Sequence, residues 1–318
     1  MSDYIKNINF KLYEFGNAVV EPYRHFIFET NQNNTSTFYY RFTTCSYTKY
    51  NIIRNTFEKL PKDMRRTDFD DVFFIGTHNN YYHMMIECLP RLWGYFSNKD
   101  ETILINKKIL DSFNGLYNML NDYMNFNKII FNNYDRPFDS RMTNQRFFIK
   151  KLKLFASTNT NSEKAFSDIK NLAVAFWQRY TQEKFRPVKP FRKIFINRTI
   201  QGPLQKRLRC ANQEEIYEQL KKKDFELLDP NKVDVLTAAR MCYEAKEVIG
   251  VHGAGLTNIL FCQPGTKFKQ LTYNNLQEHI YKNIAKILGL EYDVSYGLKK
   301  DNDDYATNEE QFYIRGEL

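Results

Sequence analysis

The stretch Val248–Lys267, VIGVHGAGLTNILFCQPGTK, constrains this chain most. Val248-Ile249-Gly250-Val251 is an apolar run with the character of a buried parallel strand. His252-Gly253-Ala254-Gly255 follows as a turn of small residues, Leu256–Cys262 reads as a short helix, and Pro264-Gly265 ends it. A strand passing through a glycine turn into a helix aims unpaired backbone N–H groups, and the positive end of the helix dipole, beyond the strand. Phosphate is the usual occupant of such a place.

The rest of the sequence has the regularity such an element needs. Asp71–Gly76, Thr102–Ile105, Lys128–Phe131, Arg146–Ile149 and Leu152–Phe155 read as strands, and Tyr81–Phe96, Lys107–Leu120 and Ser162–Tyr180 as helices. Pro90 is expected to kink or restart the first of these. Before them, Phe10–Tyr13 and Phe38–Phe42 suggest short strands around a loop at Asn31–Thr37. Phe185-Arg186-Pro187-Val188-Lys189-Pro190 has the stiffness of a linker. Beyond it strands at Lys193–Asn197, Phe225–Leu228, Glu247–Val251, Lys267–Thr272 and Tyr292–Val294 alternate with helices at Gln213–Lys222, Val235–Ala245 and His279–Leu288. Asn212 with Glu215 has the spacing of a capping box. The pattern predicts an α/β fold with a parallel, doubly wound sheet, in two domains, 1–184 with a β-rich start and 185–318.

The 318 residues supply ample core for two domains, and 42% hydrophobic with 16% aromatic residues excludes a disordered chain. A net charge of +9 suits nucleic acid, an anionic membrane surface or a phosphorylated small molecule, and equally a basic solvated surface. Cys45, Cys88, Cys210, Cys242 and Cys262 are scattered and form no CxxC pair, which speaks against a disulfide framework or a zinc site. MSDYIKNINF lacks a signal-peptide core and no 18-residue apolar run occurs. The expectation is a soluble, cytoplasmic protein that can still touch an anionic membrane surface.

Three groups of residues carry chemistry. In the glycine turn, His252, Thr257 and Asn258 add hydrogen-bonding side chains. Gly253-x-Gly255-x-x-Asn258 is one residue away from a dinucleotide fingerprint, but it follows the third strand of its domain, and Gln270 sits nearest the place, about 20 positions on, of the expected acid. Arg198, Lys206, Arg207 and Arg209 follow the domain's first strand, on the rim where open parallel sheets bind ligands. Guanidinium groups offer paired, permanent charges to phosphate, although a solvated basic loop would look the same. His83 and Glu87 stand i, i+4 on one helix and hence on one face. Such a pair can take a proton from a hydroxyl, with either residue as the base, or can be an ordinary surface pair. A metal would need a third ligand, and only His78 is near.

RKIFINR, VIGVHGAGLTNILFCQPGTKFKQL and YKNIAKILGLEYDV together resemble glycosyltransferase family 61, and NNYYHMMIECLPRLWGY resembles that family's N-terminal motif. The likeness covers roughly 71–296. It implies two Rossmann-like domains of the GT-B type facing across a cleft, and inverting transfer from a nucleotide sugar, most often UDP-linked, to a glycan or glycoconjugate without an obligatory metal. It assigns Arg198 and His252, Gly253, Ala254, Gly255, Leu256, Thr257 and Asn258 to the donor, and His83 and Glu87 to activation of the acceptor; the basic loop adds Arg207 and Arg209 as expected donor contacts. Relatives often carry glutamate where this chain has Gln270; if that position meets the donor ribose, the contact here is neutral. Asp68-x-Asp70 has the form of a metal-holding DxD but reads as preceding a strand, where the metal-binding kind follows one. The competing readings are a basic nucleic-acid-binding protein, disfavoured because many aromatics such as Phe73-Phe74 and Phe147-Phe148 lie inside apolar strands, and an inactive nucleotide-sugar-binding protein.

Overall fold

The computed structural model describes residues 9–21, 26–29, 40–41, 65–76, 78–96, 102–105, 107–124, 129–131, 145–159, 162–198, 210–273, 275–298, 311–316 and 318. His25, the loop expected at 31–37, Lys206, Arg207, Arg209 and the acidic run 301–304 lie outside them. The chain divides into two compact units, one of Asp3–Ser112 with Met124–Ala173, the other of Phe113–Tyr123 with Val174–Leu318. Both are α/β.

The first unit is built on a mixed sheet. Its strands are β1 (Phe10–Glu21), β2 (Phe26–Glu29), β3 (Tyr40–Arg41), β4 (Arg65–Phe74), β5 (Thr102–Ile105), β6 (Ile129–Phe131) and β7 (Gln145–Ser157), in the order β3-β2-β1-β7-β4-β5-β6. The β3, β2, β1 and β7 neighbours pair antiparallel, and β7, β4, β5 and β6 pair parallel. β7 is a single strand where the sequence suggests two. Phe147 and Ile149 are buried, then Leu152 and Leu154, so the inward face switches at Lys150-Lys151. Opposite that switch stand Gly16 and Asn17 of β1, and Asn17 has a φ of +50°. The periodicity breaks there although the strand does not. β4 begins six residues earlier than expected, so Asp68 and Asp70 lie inside a strand, exposed, rather than before it.

After β4 the chain winds through an α turn (Tyr81–His83), a π turn (Met84–Cys88), a 3₁₀ turn (Leu89–Arg91) and an α turn (Leu92–Tyr95). Asn80 caps the start, its side chain accepting the Tyr82 N–H at 2.9 Å. Pro90 has no N–H to give to the turn before it, and the winding changes from wide to tight around it. Gly94 lies against β7: a Cβ there would sit 2.8 Å from Phe155 side-chain atoms. The expected helix 107–120 is two, α1 (Lys107–Asp111) and α2 (Leu116–Met124), broken at Gly115, whose φ is +77°. α3 (Ser162–Lys184) follows β7.

The second unit holds a five-stranded, wholly parallel sheet of β8 (Arg192–Ile196), β9 (Phe225–Leu228), β10 (Ala245–Val251), β11 (Lys267–Thr272) and β12 (Glu291–Tyr296), ordered β12-β11-β10-β8-β9. The order reverses between β8 and β10, which makes the crevice beyond their carboxyl ends the topological switch point. On one face Phe195, Ile249, Val251 and Leu271 pack with Ile216 and Leu220 of α4 (Gln213–Lys221) and with Phe312 and Ile314. Asn212 does not cap α4. Its side chain is tied to Ile314 instead, giving its amide to the Ile314 carbonyl at 2.8 Å and accepting the Ile314 N–H at 3.1 Å. α5 (Val235–Tyr243) and α6 (Asn275–Leu288) pack with a 3₁₀ helix, Ala254–Phe261, that stands where the sequence suggests a short helix. Buried Gln178 gives its amide to the Leu260 and Cys262 carbonyls at the end of that helix, at 2.8 and 3.1 Å.

Among the described residues no helix is long and apolar enough to cross a membrane, and no group of three or more His, Cys, Asp or Glu is placed to hold a metal ion.

Gly94→Ala is expected to lose about 1–3 kcal/mol, the usual cost of overpacking, measured as a lower urea midpoint at unchanged m-value.

Candidate functional site

The first cluster follows β4. His83 closes the α turn and Glu87 lies in the π turn; the wider winding sets i and i+4 nearly in line. His83 Nδ1 is 2.8 Å from Glu87 Oε1. The Glu87 side chain has no exposure, while that of His83 is 31% exposed. With Glu87 as carboxylate, Nδ1 carries the hydrogen and Nε2 keeps a lone pair, an arrangement that can accept a proton. The expected i, i+4 pairing is therefore present as a hydrogen bond.

Two neighbours complete the cluster. Arg91, buried to 3%, gives a guanidinium hydrogen to the Ile75 carbonyl at 2.8 Å, and its charge acts on Glu87. Burial draws its pKa below the usual value, and the Cys88 and Glu87 charges oppose that. A nearby cation whose charge acts on Glu87 offsets part of the cost of burying its side chain. The spacing Glu87-x-x-x-Arg91 was a readable sign of it. The His78 ring centroid lies 4.4 Å from that of His83, and His78 Nδ1 accepts the Asn80 N–H at 2.9 Å. Burial lowers the His78 pKa to about 4, with His83 adding to the shift and Glu87 opposing it. Its neutral form carries the hydrogen on Nε2. Burial pushes the Cys88 thiol up to about 12, which leaves it unsuited to act as a nucleophile.

The second cluster stands at the switch point of the parallel sheet. Arg198, two residues past β8, gives a guanidinium hydrogen to the His252 carbonyl just past β10 at 2.9 Å. Gln213 fixes the Arg198 backbone, accepting its N–H at 3.1 Å and giving its amide to the Arg198 carbonyl at 3.2 Å. A Cβ on Gly253 would lie 3.0 Å from Arg198 Cδ, and one on Gly255 would lie 2.9 Å from Pro230. Gly253 has extended backbone, φ 167°, that any residue adopts. The glycines here fit a close approach of neighbouring side chains rather than an unusual turn.

The 3₁₀ helix begins with Leu256 N–H on the Gly253 carbonyl at 3.0 Å, which leaves the N–H groups of Ala254 and Gly255 outside its ladder. Leu256, Thr257 and Asn258 are buried: Asn258 gives its amide to the Gly255 carbonyl at 2.9 Å, and Thr257 lies 3.4 Å from the Tyr281 hydroxyl. Tyr281 donates to the Gly253 carbonyl at 2.6 Å. His252 is 5% exposed, flanked edge-on by the Tyr273 and Tyr281 rings, and its Nδ1 is 2.9 Å from the Gln270 amide nitrogen. Gln270 is fully buried and accepts a hydrogen bond from Tyr292 at 3.1 Å. It therefore supports His252 from beneath. Asn197 Oδ1, at the end of β8, is buried and accepts no hydrogen bond among the described residues. Arg207 and Arg209 lie outside the described residues. Gln213, Tyr281 and Tyr292 were not legible as site residues, because their partners are distant in sequence.

The family model described as Glycosyltransferase 61 matches residues 81–268, more than half of the chain and a span that includes His83, Glu87, Arg198 and the turn 252–258. The chain belongs to glycosyltransferase family 61. It is thus a glycosyltransferase, an enzyme with a sugar donor and an acceptor substrate. Comparison with curated proteins gave no match.

The His78 shift has a consequence for stability. Its folded pKa of about 4 lies below the ordinary 6.5, so the unfolded chain takes up this proton first as pH falls. The stability tied to His78 is intact above pH 6.5 and is lost towards pH 4, by about 1–2 kcal/mol once partial exposure is allowed for. His78→Asn, whose side-chain oxygen can still accept the Asn80 N–H, is expected to flatten that part of the pH–stability curve in urea melts.

Proposed function

We propose that the second unit holds the diphosphate of a nucleotide sugar, UDP-linked, and that the first unit supplies the base for the acceptor, a division of labour of the GT-B type. The acceptor is a hydroxyl of a glycan or glycoconjugate. The reaction is a single displacement with inversion. The observation that carries the reading is the His83–Glu87 hydrogen bond, 2.8 Å long with the carboxylate fully buried, in a chain of this family.

In the donor half, the Arg198 guanidinium, the His252 ring and the free N–H groups of Ala254 and Gly255 bring positive charge and donors to the switch point. Charge accumulates on the leaving diphosphate as the glycosidic C–O bond breaks, and fixed donors at that place lower the barrier. Thr257 and Asn258 act by shaping the turn, since their side chains are buried within it. In the acceptor half, His83 Nε2 takes the hydroxyl proton as the oxygen attacks the anomeric carbon. Glu87 holds the ring by Nδ1 and stabilises the imidazolium that forms; Arg91 and the Ile75 carbonyl hold Glu87's turn against β4. Donor activation needs no metal in this scheme, because arginine and backbone N–H groups carry the phosphate charge.

The test is UDP release from a panel of UDP-sugars with simple glycosides as acceptors, in EDTA. His83→Ala and Glu87→Gln are expected to lower the rate by about 10²-fold or more, the usual share of a positioned base, with UDP affinity unchanged. A His83→Ala protein turning over at the wild-type rate would sink the assignment of the base.

A further inference from the structure

We infer that Gln270 and Tyr292 are positioning residues that hold His252 as a neutral Nε2–H donor towards the donor phosphate, an inference that rests on the donor site proposed above. Gln270 lies in the middle of β11, and its side chain is fully buried. A buried amide has four hydrogen-bonding positions to satisfy and needs defined partners. Two of them decide the arrangement. Its nitrogen is 2.9 Å from His252 Nδ1, and its oxygen accepts the Tyr292 hydroxyl hydrogen at 3.1 Å. An amide nitrogen only donates, so His252 Nδ1 must accept, and the hydrogen of the neutral ring must be on Nε2.

Tyr292 completes the chain of bonds. Its hydroxyl is pushed above the ordinary range by burial, with the charge of Glu278 adding to the shift, so it stays protonated and able to donate. In this arrangement the Gln270 oxygen takes the Tyr292 hydrogen and the Gln270 nitrogen faces His252 Nδ1. Ring orientation is fixed as well. Tyr273 and Tyr281 stand edge-on to the imidazole at 6.2 and 5.5 Å between centroids, and the His252 backbone is held by the Leu271 carbonyl at 2.8 Å and by Arg198 at 2.9 Å.

The chemical result is a donor without a charge. A carboxylate at position 270 would call for a hydrogen on Nδ1, leaving Nε2 as a lone pair facing phosphate oxygens or turning the ring into an imidazolium. Gln270 instead fixes the one tautomer whose outer nitrogen donates. Arg198 then carries the positive charge, and His252 supplies direction. Gln270 thus acts on the donor through His252 rather than by touching the ribose.

The experiment uses the full chain with ¹⁵N-labelled histidine and long-range ¹H–¹⁵N correlation at pH 7.5, His252 being identified by its loss in His252→Ala. Wild type is expected to show a bare Nδ1 and a protonated Nε2. Gln270→Leu is expected to lose that single tautomer and to raise the Kd for UDP about tenfold, the worth of one hydrogen bond to a charged group. Tyr292→Phe, a milder change, is expected to raise it two- to threefold. A protonated Nδ1 in wild type would overturn the inference, as would wild-type UDP affinity in Gln270→Leu when His252→Ala is weakened. Unchanged UDP affinity in His252→Ala would instead remove the donor site itself, and with it the binding role inferred here.

Discussion

Arg198 reaches the carbonyl of His252 at 2.9 Å because residue 253 has no side chain. The guanidinium lies over the backbone of Gly253 so closely that a Cβ would meet its Cδ at 3.0 Å. That contact joins the ends of β8 and β10, the two strands between which the sheet reverses its order. It places a permanent cation where a parallel sheet binds its ligand, and Gln213 holds the arginine's backbone in the same position. The glycine turn, the reversal in strand order and the arginine therefore work as one device. The buried asparagine, tyrosine and glutamine around it keep the turn in shape.

The first unit solves a different problem, which is to bury a carboxylate beside a histidine that stays reachable. Glu87 is fully covered and His83 is partly open. Low surrounding dielectric strengthens the bond between them, and it also makes an uncompensated carboxylate costly. Arg91 answers that cost from the next turn, anchored on the carbonyl of Ile75, the first residue after β4. The π turn sets the spacing of His83 and Glu87, and Arg91 follows in the next turn, where its charge acts on Glu87.

Much of this was legible in the sequence where the signal was local. The strands of the parallel sheet, the glycine turn and the i, i+4 pair His83–Glu87 all follow from neighbouring residues. What depended on distant partners was not. β7 reads as two strands because its buried face switches at Lys150-Lys151, opposite Gly16 and Asn17, which are 133 or more residues earlier in the chain. Asn212 has the spacing of a helix cap, yet the segment around Ile314 competes for its side chain and wins two hydrogen bonds. Gln270 reads as a possible ribose contact, and the fold turns it beneath His252. In each case the local rule was sound and a partner far along the chain decided the outcome.

The account stands on a diphosphate site at the carboxyl ends of β8 and β10, and hydrogen exchange in the presence of UDP and EDTA tests it most directly. Bound ligand should slow exchange of the backbone amides of 252–256 and of Arg198, with little change along β1 and β7. Protection confined to the first unit, or unchanged exchange at 252–256 under saturating UDP, would contradict it.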